Sequence, residues 1–180
     1  GRIVKRKGPD ILVRAFKRLL ETHPNAKLVI VGDGPYADQL KELAREFVLG
    51  DKVEFTGILR GKPLYMKYAE CDIFAMPSRQ TKTDMEGFGM VFLEAGFFRK
   101  PSIGTPTGGI PEAVLDGETG LLVPQGDEMA LRDAMDRLLV YEEFARRLGE
   151  RAHERVISEF TWEKATHRFF KMYNKDQALA

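Results

Sequence analysis

Lys27-Leu28-Val29-Ile30-Val31-Gly32-Asp33-Gly34-Pro35-Tyr36 sets an apolar run directly against a glycine turn. Large aliphatic residues in succession, without polar alternation, suit a strand covered on both faces, as in parallel sheets. A helical pattern over residues 36–47 follows, and a second strand-like run, 52–56, closes on Gly57. Working outward, the same unit repeats on both sides. Before it, a helix opens at Gly8-Pro9-Asp10, where proline suits the first turn, with Ile11, Leu12, Ala15, Phe16 and Leu19 on one face. After it come a helix over 63–70, a strand over 72–76 ending at Pro77-Ser78, and a polar, aperiodic stretch over 79–84 that reads as a loop. A helix carrying Glu94, a strand over 101–104, the loop Thr107-Gly108-Gly109, a short helix over 111–115 and a strand over 120–123 follow. The remainder reads as helices over 127–139, 142–158 and 162–173. Alternating strands and helices imply an α/β fold, a doubly wound parallel sheet with helices on both faces. Ligands in such sheets sit beyond the carboxyl ends of the strands. Gly32, Gly57, Ser78 and Gly104 fall there.

The chain has 180 residues, enough for one domain with a full core, and the expectation is a single domain over 1–180. Its first residues, Gly1-Arg2-Ile3-Val4, read as the end of a strand or the loop after it, as in a fragment of something longer. With 43% apolar and 31% charged residues it has the composition of an ordinary globular protein. Twenty-eight basic against 27 acidic residues leave a net charge of +1, which gives no bulk attraction to nucleic acid. Cys71 is the sole cysteine, so no internal disulfide forms, in keeping with a reducing, cytoplasmic setting. Nothing resembles a signal peptide or a membrane-spanning run.

The most informative motif is Glu86-Gly87-Phe88-Gly89-Met90-Val91-Phe92-Leu93-Glu94. It places one carboxylate outside a helix and a second about a turn and a half inside it. Gly87 and Gly89 permit close backbone approach to a ligand, and free amides at the helix start favour an anion such as a diphosphate. The bland reading, two solvated glutamates, is opposed by the apolar run Phe92 to Phe98 around Glu94. Arg2 and Lys7 flank the first turn and could clamp a diphosphate, or could belong with Lys5 and Arg6 to a solvated basic loop.

Other motifs recede. Gly32-Asp33-Gly34-Pro35-Tyr36-Ala37 fits the dinucleotide pattern, but no acidic residue ends the next strand, and Pro35 removes an amide the pyrophosphate would need. His23, His153 and His167 lack metal-ligand spacing. No nucleophile elbow or P-loop occurs. A hydrolase carboxylate pair generally comes from separate elements, whereas Glu86 and Glu94 share one.

The ordered set Gly1-Arg2-x4-Lys7-Gly8, Val31-Gly32-Asp33-Gly34-Pro35, Phe55-Thr56-Gly57, Pro77-Ser78, Glu86-x7-Glu94, Thr107-Gly108-Gly109-x2-Glu112 and Asp116-Gly117-x2-Gly120-Leu121 resembles the C-terminal, Rossmann-like half of retaining GT-B glycosyltransferases. That group includes glycogen synthases and bacterial mannosyltransferases, and the resemblance covers nearly the whole chain. It implies transfer of a sugar from a UDP-, GDP- or ADP-linked donor to an acceptor hydroxyl with retention, without metal or other cofactor. Arg2 and Lys7 then match the pair on the donor diphosphate, and Glu86 the glutamate facing the donor sugar. Phe88, Gly89, Met90 and Val91 supply amides to sugar and phosphate, and Glu94 accepts from the ribose hydroxyls. Ile58 and Leu59 run past the base, Ser78 lies at the donor end of its strand, and Gly32 and Gly34 keep the cleft open. The family domain begins with a strand ending in Gly-Arg, most of which is absent ahead of Gly1, so the sheet is expected to lack its first strand. The acceptor domain is likewise absent, so the fragment is expected to bind donor without turning it over. The last helix, with Trp162, Phe169, Phe170 and Tyr173, would normally cross to that domain. A non-catalytic nucleotide-sugar binding module and a GT-B-like epimerase share the architecture. Full length, the resemblance places the enzyme in the cytoplasm, with the inner membrane face open to it where acceptors are lipid-linked.

Overall fold

The computed structural model describes residues 1–80, 87–161 and 163–164. The helices are α1 (Pro9–Leu19), α2 (Ala37–Glu46), α3 (Lys62–Glu70), α4 (Met90–Phe97), α5 (Ile110–Ala113), α6 (Glu128–Val140) and α7 (Glu142–Glu159). The strands are β1 (Leu28–Val31), β2 (Val53–Gly57), β3 (Phe74–Ala75), β4 (Ser102–Gly104) and β5 (Gly120–Leu122). The expected element order holds, with boundaries moved by a residue or two, except that the strand expected over 72–76 shortens to Phe74–Ala75. The helix expected over 162–173 lies outside the described residues, apart from Glu163 and Lys164.

Local sequence sets the helix starts. Pro9 opens α1 and Pro63 falls in the first turn of α3. Asp127 caps α6, its carboxylate accepting from the amides of Met129 at 3.0 Å and Ala130 at 2.9 Å. α1 buries Leu12, Val13, Ala15, Phe16 and Leu19. Val13, outside the expected stripe, is fully buried, while Ile11 remains half-buried.

Every strand pair is parallel, and apolar clusters lie on opposite faces. Successive residues of β5 display the alternation: Leu121 joins the cluster of α1, α2 and α6, and Leu122 packs with that of α4 and α5. The strands do not form one continuous sheet. Among the described residues β1 pairs with β2, and β4 lies between β3 and β5 and pairs with both, so the doubly wound sheet divides in two.

Between the two sheets runs a cavity of about 520 Å³. Leu12, Phe16, Leu28, Ile30, Ile73 and Met135 line it, as do Arg2, Lys7 and Pro77 at the carboxyl ends of the strands. Among the described residues, the facing edges of β1 and β3 pair with no strand. An added strand running extended into Gly1 would pass through this gap. Unpaired strand edges against apolar walls are costly, since their amides and carbonyls lose water without gaining partners.

Extending the chain ahead of Gly1 with about six β-branched apolar residues, the length of an ordinary strand, is expected to raise Tm by about 4–8 °C. That is the shift that ~2 kcal/mol produces at this size. An extension carrying two prolines should give no such rise, and equal melting of the two extended chains in scanning calorimetry would contradict strand insertion.

Candidate functional site

The first eight residues thread across the carboxyl ends of β1 and β3. The Gly1 amino group donates to the Val31 carbonyl at 2.7 Å, the Ile3 amide donates to Asp33 at 2.8 Å, and the Tyr36 amide donates to the Ile3 carbonyl at 3.2 Å. Gly32 and Gly34 have no side chain because this segment passes over them. A Cβ on Gly32 would stand 1.8 Å from the Gly1 carbonyl oxygen, and one on Gly34 would stand 2.3 Å from that of Ile3. The G-x-G pattern that mimics a dinucleotide loop is therefore a seat for the segment carrying Arg2.

A 3-10 turn over Lys5–Lys7 then delivers the chain to Gly8, which is left-handed at φ 66°. A Cβ on Gly8 would lie 2.0 Å from the Pro77 carbonyl oxygen, so the turn rests on the end of β3. Arg79, which the sequence places only in a polar loop, fastens this turn. Its amide donates to the Arg6 carbonyl at 2.7 Å, its Nε donates to the Lys5 carbonyl at 3.1 Å, and its guanidinium pairs with the buried carboxylate of Asp10. Arg2 is exposed and Lys7 half-buried, and both open on the upper end of the inter-sheet cavity together with Val91.

Opposite lies the start of α4. Gly89 is left-handed at φ 74° and half of this turn is braced by the Thr107–Gly109 loop, the Gly109 amide donating to the Gly87 carbonyl at 2.7 Å. Amides in the first turn of a helix have no partner within the helix, so those of Met90 and Val91 stand at its electropositive end. Phe88 packs on Phe160 at 5.5 Å between ring centroids, while the Met90 side chain is 61% exposed. Gly96 lets α4 seat against Ala152 and Val156 of α7. Behind the loop, Arg155 donates to the carbonyls of Glu112 at 2.8 Å and Ala113 at 3.2 Å, which pins α5.

Glu94 is exposed on α4, so its apolar neighbours in sequence do not bury it. What holds it is Tyr68, whose hydroxyl donates to Glu94 Oε2 at 2.7 Å. Burial, then this hydrogen bond, pushes the Tyr68 phenol far above its ordinary pKa. The Glu94 charge also reaches the Gly1 amino group, whose pKa is lowered chiefly by burial and next by Lys7, with Glu94 opposing. The basic turn and the first turn of α4 line the same end of the inter-sheet cavity through Arg2, Lys7 and Val91. Ile58, 65% exposed, and Leu59 follow β2 on the same rim of strand ends. Ser78 differs from the expectation of a donor contact: it is fully buried, its hydroxyl has no hydrogen-bond partner, and its carbonyl accepts from Thr105. Packed beneath the loop, it has no surface open to a ligand. Glu86 lies outside the described residues.

Sequence reasoning missed Tyr68, Arg79 and Asp10. Arg79 stands directly after a strand end, where a site residue could have been sought, but nothing in the sequence links Tyr68 to Glu94. The described histidines have structural roles, His23 meeting Asp136 at 2.9 Å and His153 meeting the Phe97 carbonyl at 2.7 Å. Among the described residues, no cluster of three or more His, Cys, Asp or Glu could hold a metal, and no helix is long and apolar enough to cross a membrane.

The family described as Glycosyl transferases group 1 matches residues 1–155. A GDP-mannose-dependent alpha-(1-6)-phosphatidylinositol monomannoside mannosyltransferase of Mycobacterium tuberculosis is 36% identical over 180 residues, covering 99% of this chain and 47% of the relative. Sucrose-phosphate synthase from Thermosynechococcus elongatus superposes with a TM-score of 0.86 at 33% identity, covering 100% of this chain and 45% of that structure. Anabaena HepE, solved in complex with UDP, superposes at 0.85 with 23% identity, covering 97% of this chain and 47% of its own, a likeness of fold. The chain spans about half the length of these relatives. With the expected α/β elements in the order of a GT-B C-terminal half and a family match over most of its length, the chain belongs to the glycosyl transferases group 1 family.

Proposed function

We propose that the chain is the donor-binding half of a retaining hexosyltransferase that moves a sugar from a nucleoside diphosphate to an acceptor hydroxyl. The observation that carries this reading is the opposition of the Arg2–Lys7 turn, held over the strand ends, to the start of α4 with Glu94 one turn further in. Cations and outward amides suit a diphosphate, and a fixed carboxylate suits a pair of sugar hydroxyls. The mycobacterial relative's dependence on GDP-mannose and the UDP in the Anabaena structure support a nucleoside diphosphate donor.

In the reaction the bond between the anomeric carbon and the diphosphate oxygen breaks, its electron pair leaving with the diphosphate. The acceptor oxygen takes the vacated position on the same face, and its proton is released with the departing nucleotide. Negative charge grows on the diphosphate as it leaves, and Arg2, Lys7 and the α4 amides oppose that charge without reorganising, so no metal is needed. Glu86, by its match to the family motif, is the carboxylate assigned to offset positive charge developing on the sugar. The other half of the full-length protein supplies the acceptor, so the isolated chain binds donor and does not turn it over. A lipid-linked acceptor, like the phosphatidylinositol mannoside in the relative's name, would bring the enzyme to the cytoplasmic membrane face.

Titration of the chain with UDP, GDP and ADP by ligand-observed NMR tests the reading. One nucleotide is expected to bind, and replacing Arg2 and Lys7 together by alanine should weaken it at least ~10-fold, since each removes a charge-assisted contact of about 1.5–3 kcal/mol. Unchanged affinity in that double variant would remove the diphosphate role. Arg79→Met leaves Asp10 charged and poorly solvated, and is expected to cost about 2–3 kcal/mol in urea unfolding, less than the ~3–5 kcal/mol of a wholly buried pair. In the full-length enzyme, Glu86→Ala should lower kcat by about 100-fold or more with nucleotide affinity retained; transfer that survives would instead favour a binding module.

A further inference from the structure

Glu94 sits on the exposed face of α4, where a glutamate ordinarily samples several rotamers and must lose that freedom to grip a ligand. Here one of its oxygens is already engaged. Tyr68, near the end of α3, donates its hydroxyl to Oε2 at 2.7 Å and is only 8% exposed. Its ring is locked on two sides: it stacks on Phe98 with centroids 5.7 Å apart and planes 9° apart, and it meets Phe74 of β3 at 5.9 Å and 46°. A tyrosine so fixed, bonded to a carboxylate at the mouth of the site, transfers the rigidity of the sheet to an otherwise mobile side chain.

We propose that Tyr68 is a positioning residue that pre-orients Glu94 for a vicinal diol, the 2′ and 3′ hydroxyls of the donor ribose. The proposal rests on the reading of Glu94 as the ribose carboxylate. With Oε2 accepting from Tyr68, all of Oε1 and the second lone pair of Oε2 remain available, and two neighbouring hydroxyls can donate to them together. Tyr68 cannot itself take a proton from the sugar, because its phenol is already the donor in the bond to Glu94. Its effect is on orientation: a carboxylate ordered in advance loses less entropy on binding. A purely structural tyrosine, held by the same two rings, would leave ribose selectivity untouched.

The test measures calorimetric affinity for whichever of UDP, GDP or ADP binds best, and for its 2′,3′-dideoxy counterpart, in the parent chain, Tyr68→Phe, Glu94→Ala and the double variant. Tyr68→Phe keeps the ring and its stacking and removes only the hydroxyl. It should weaken the ribonucleotide about three- to tenfold, leave the dideoxy nucleotide within about twofold, and have no further effect in the Glu94→Ala background. Equal weakening of both nucleotides, no weakening of either, or additive effects in the double variant would overturn the positioning role. If Glu94→Ala keeps the parent's preference for ribose over dideoxyribose, or if none of the three nucleotides binds, the reading of Glu94 itself falls, and the inference with it.

Discussion

The structure depends on a close crossing: residues 1–8 must lie on the carboxyl ends of two strands at backbone contact distance. Van der Waals exclusion makes this strict. Side chains at Gly32, Gly34 or Gly8 would occupy space already filled by carbonyl oxygens of Gly1, Ile3 and Pro77. Only because these positions are bare can Arg2 and Lys7 stand over the mouth of the sheet on a segment bonded to both of its halves.

Electrostatics and packing then fix what the crossing supplies. Arg79 ties the basic turn by two main-chain bonds and an ion pair to Asp10, so a third cation orders the segment carrying the other two. Across the cleft, α4 is fixed from behind: Gly96 brings it against α7, whose Arg155 holds the carbonyl end of α5. The Thr107–Gly109 loop meets the glycine hinge from the side. The two halves of the site are therefore mounted on separate packed layers, and the open slot between β1 and β3 runs up between them.

Much of this was legible in the sequence. The strands Leu28–Val31 and Val53–Gly57 each run into a glycine, Gly32 and Gly57, and alternate with amphipathic helices, so parallel order and two helical layers follow from periodicity. Arg2, Lys7 and Val91 fall at one end of the sheet, as their positions in the sequence imply, whereas Glu86 lies outside the described residues. The division into two sheets is not legible in the sequence, since pairing between strands is a long-range property that no local pattern encodes. The apolar sequence neighbours of Glu94 suggest apolar surroundings, but a helix turns 100° per residue, and the burial of Leu93 and Ala95 leaves Glu94 outside. Position in the chain puts Ser78 at the donor end, but the residue is fully buried there and its carbonyl accepts from the Thr105 hydroxyl. Tyr68 and Glu94, 26 residues apart, meet only through the packing of α3 beside α4.

The most direct measurement is a crystal structure of the chain with the nucleoside diphosphate it binds best. The diphosphate is predicted between Arg2, Lys7 and the first turn of α4, with the ribose hydroxyls on Glu94. A nucleotide lying instead along Gly32-Asp33-Gly34, away from Glu94, would contradict the assignment of the site.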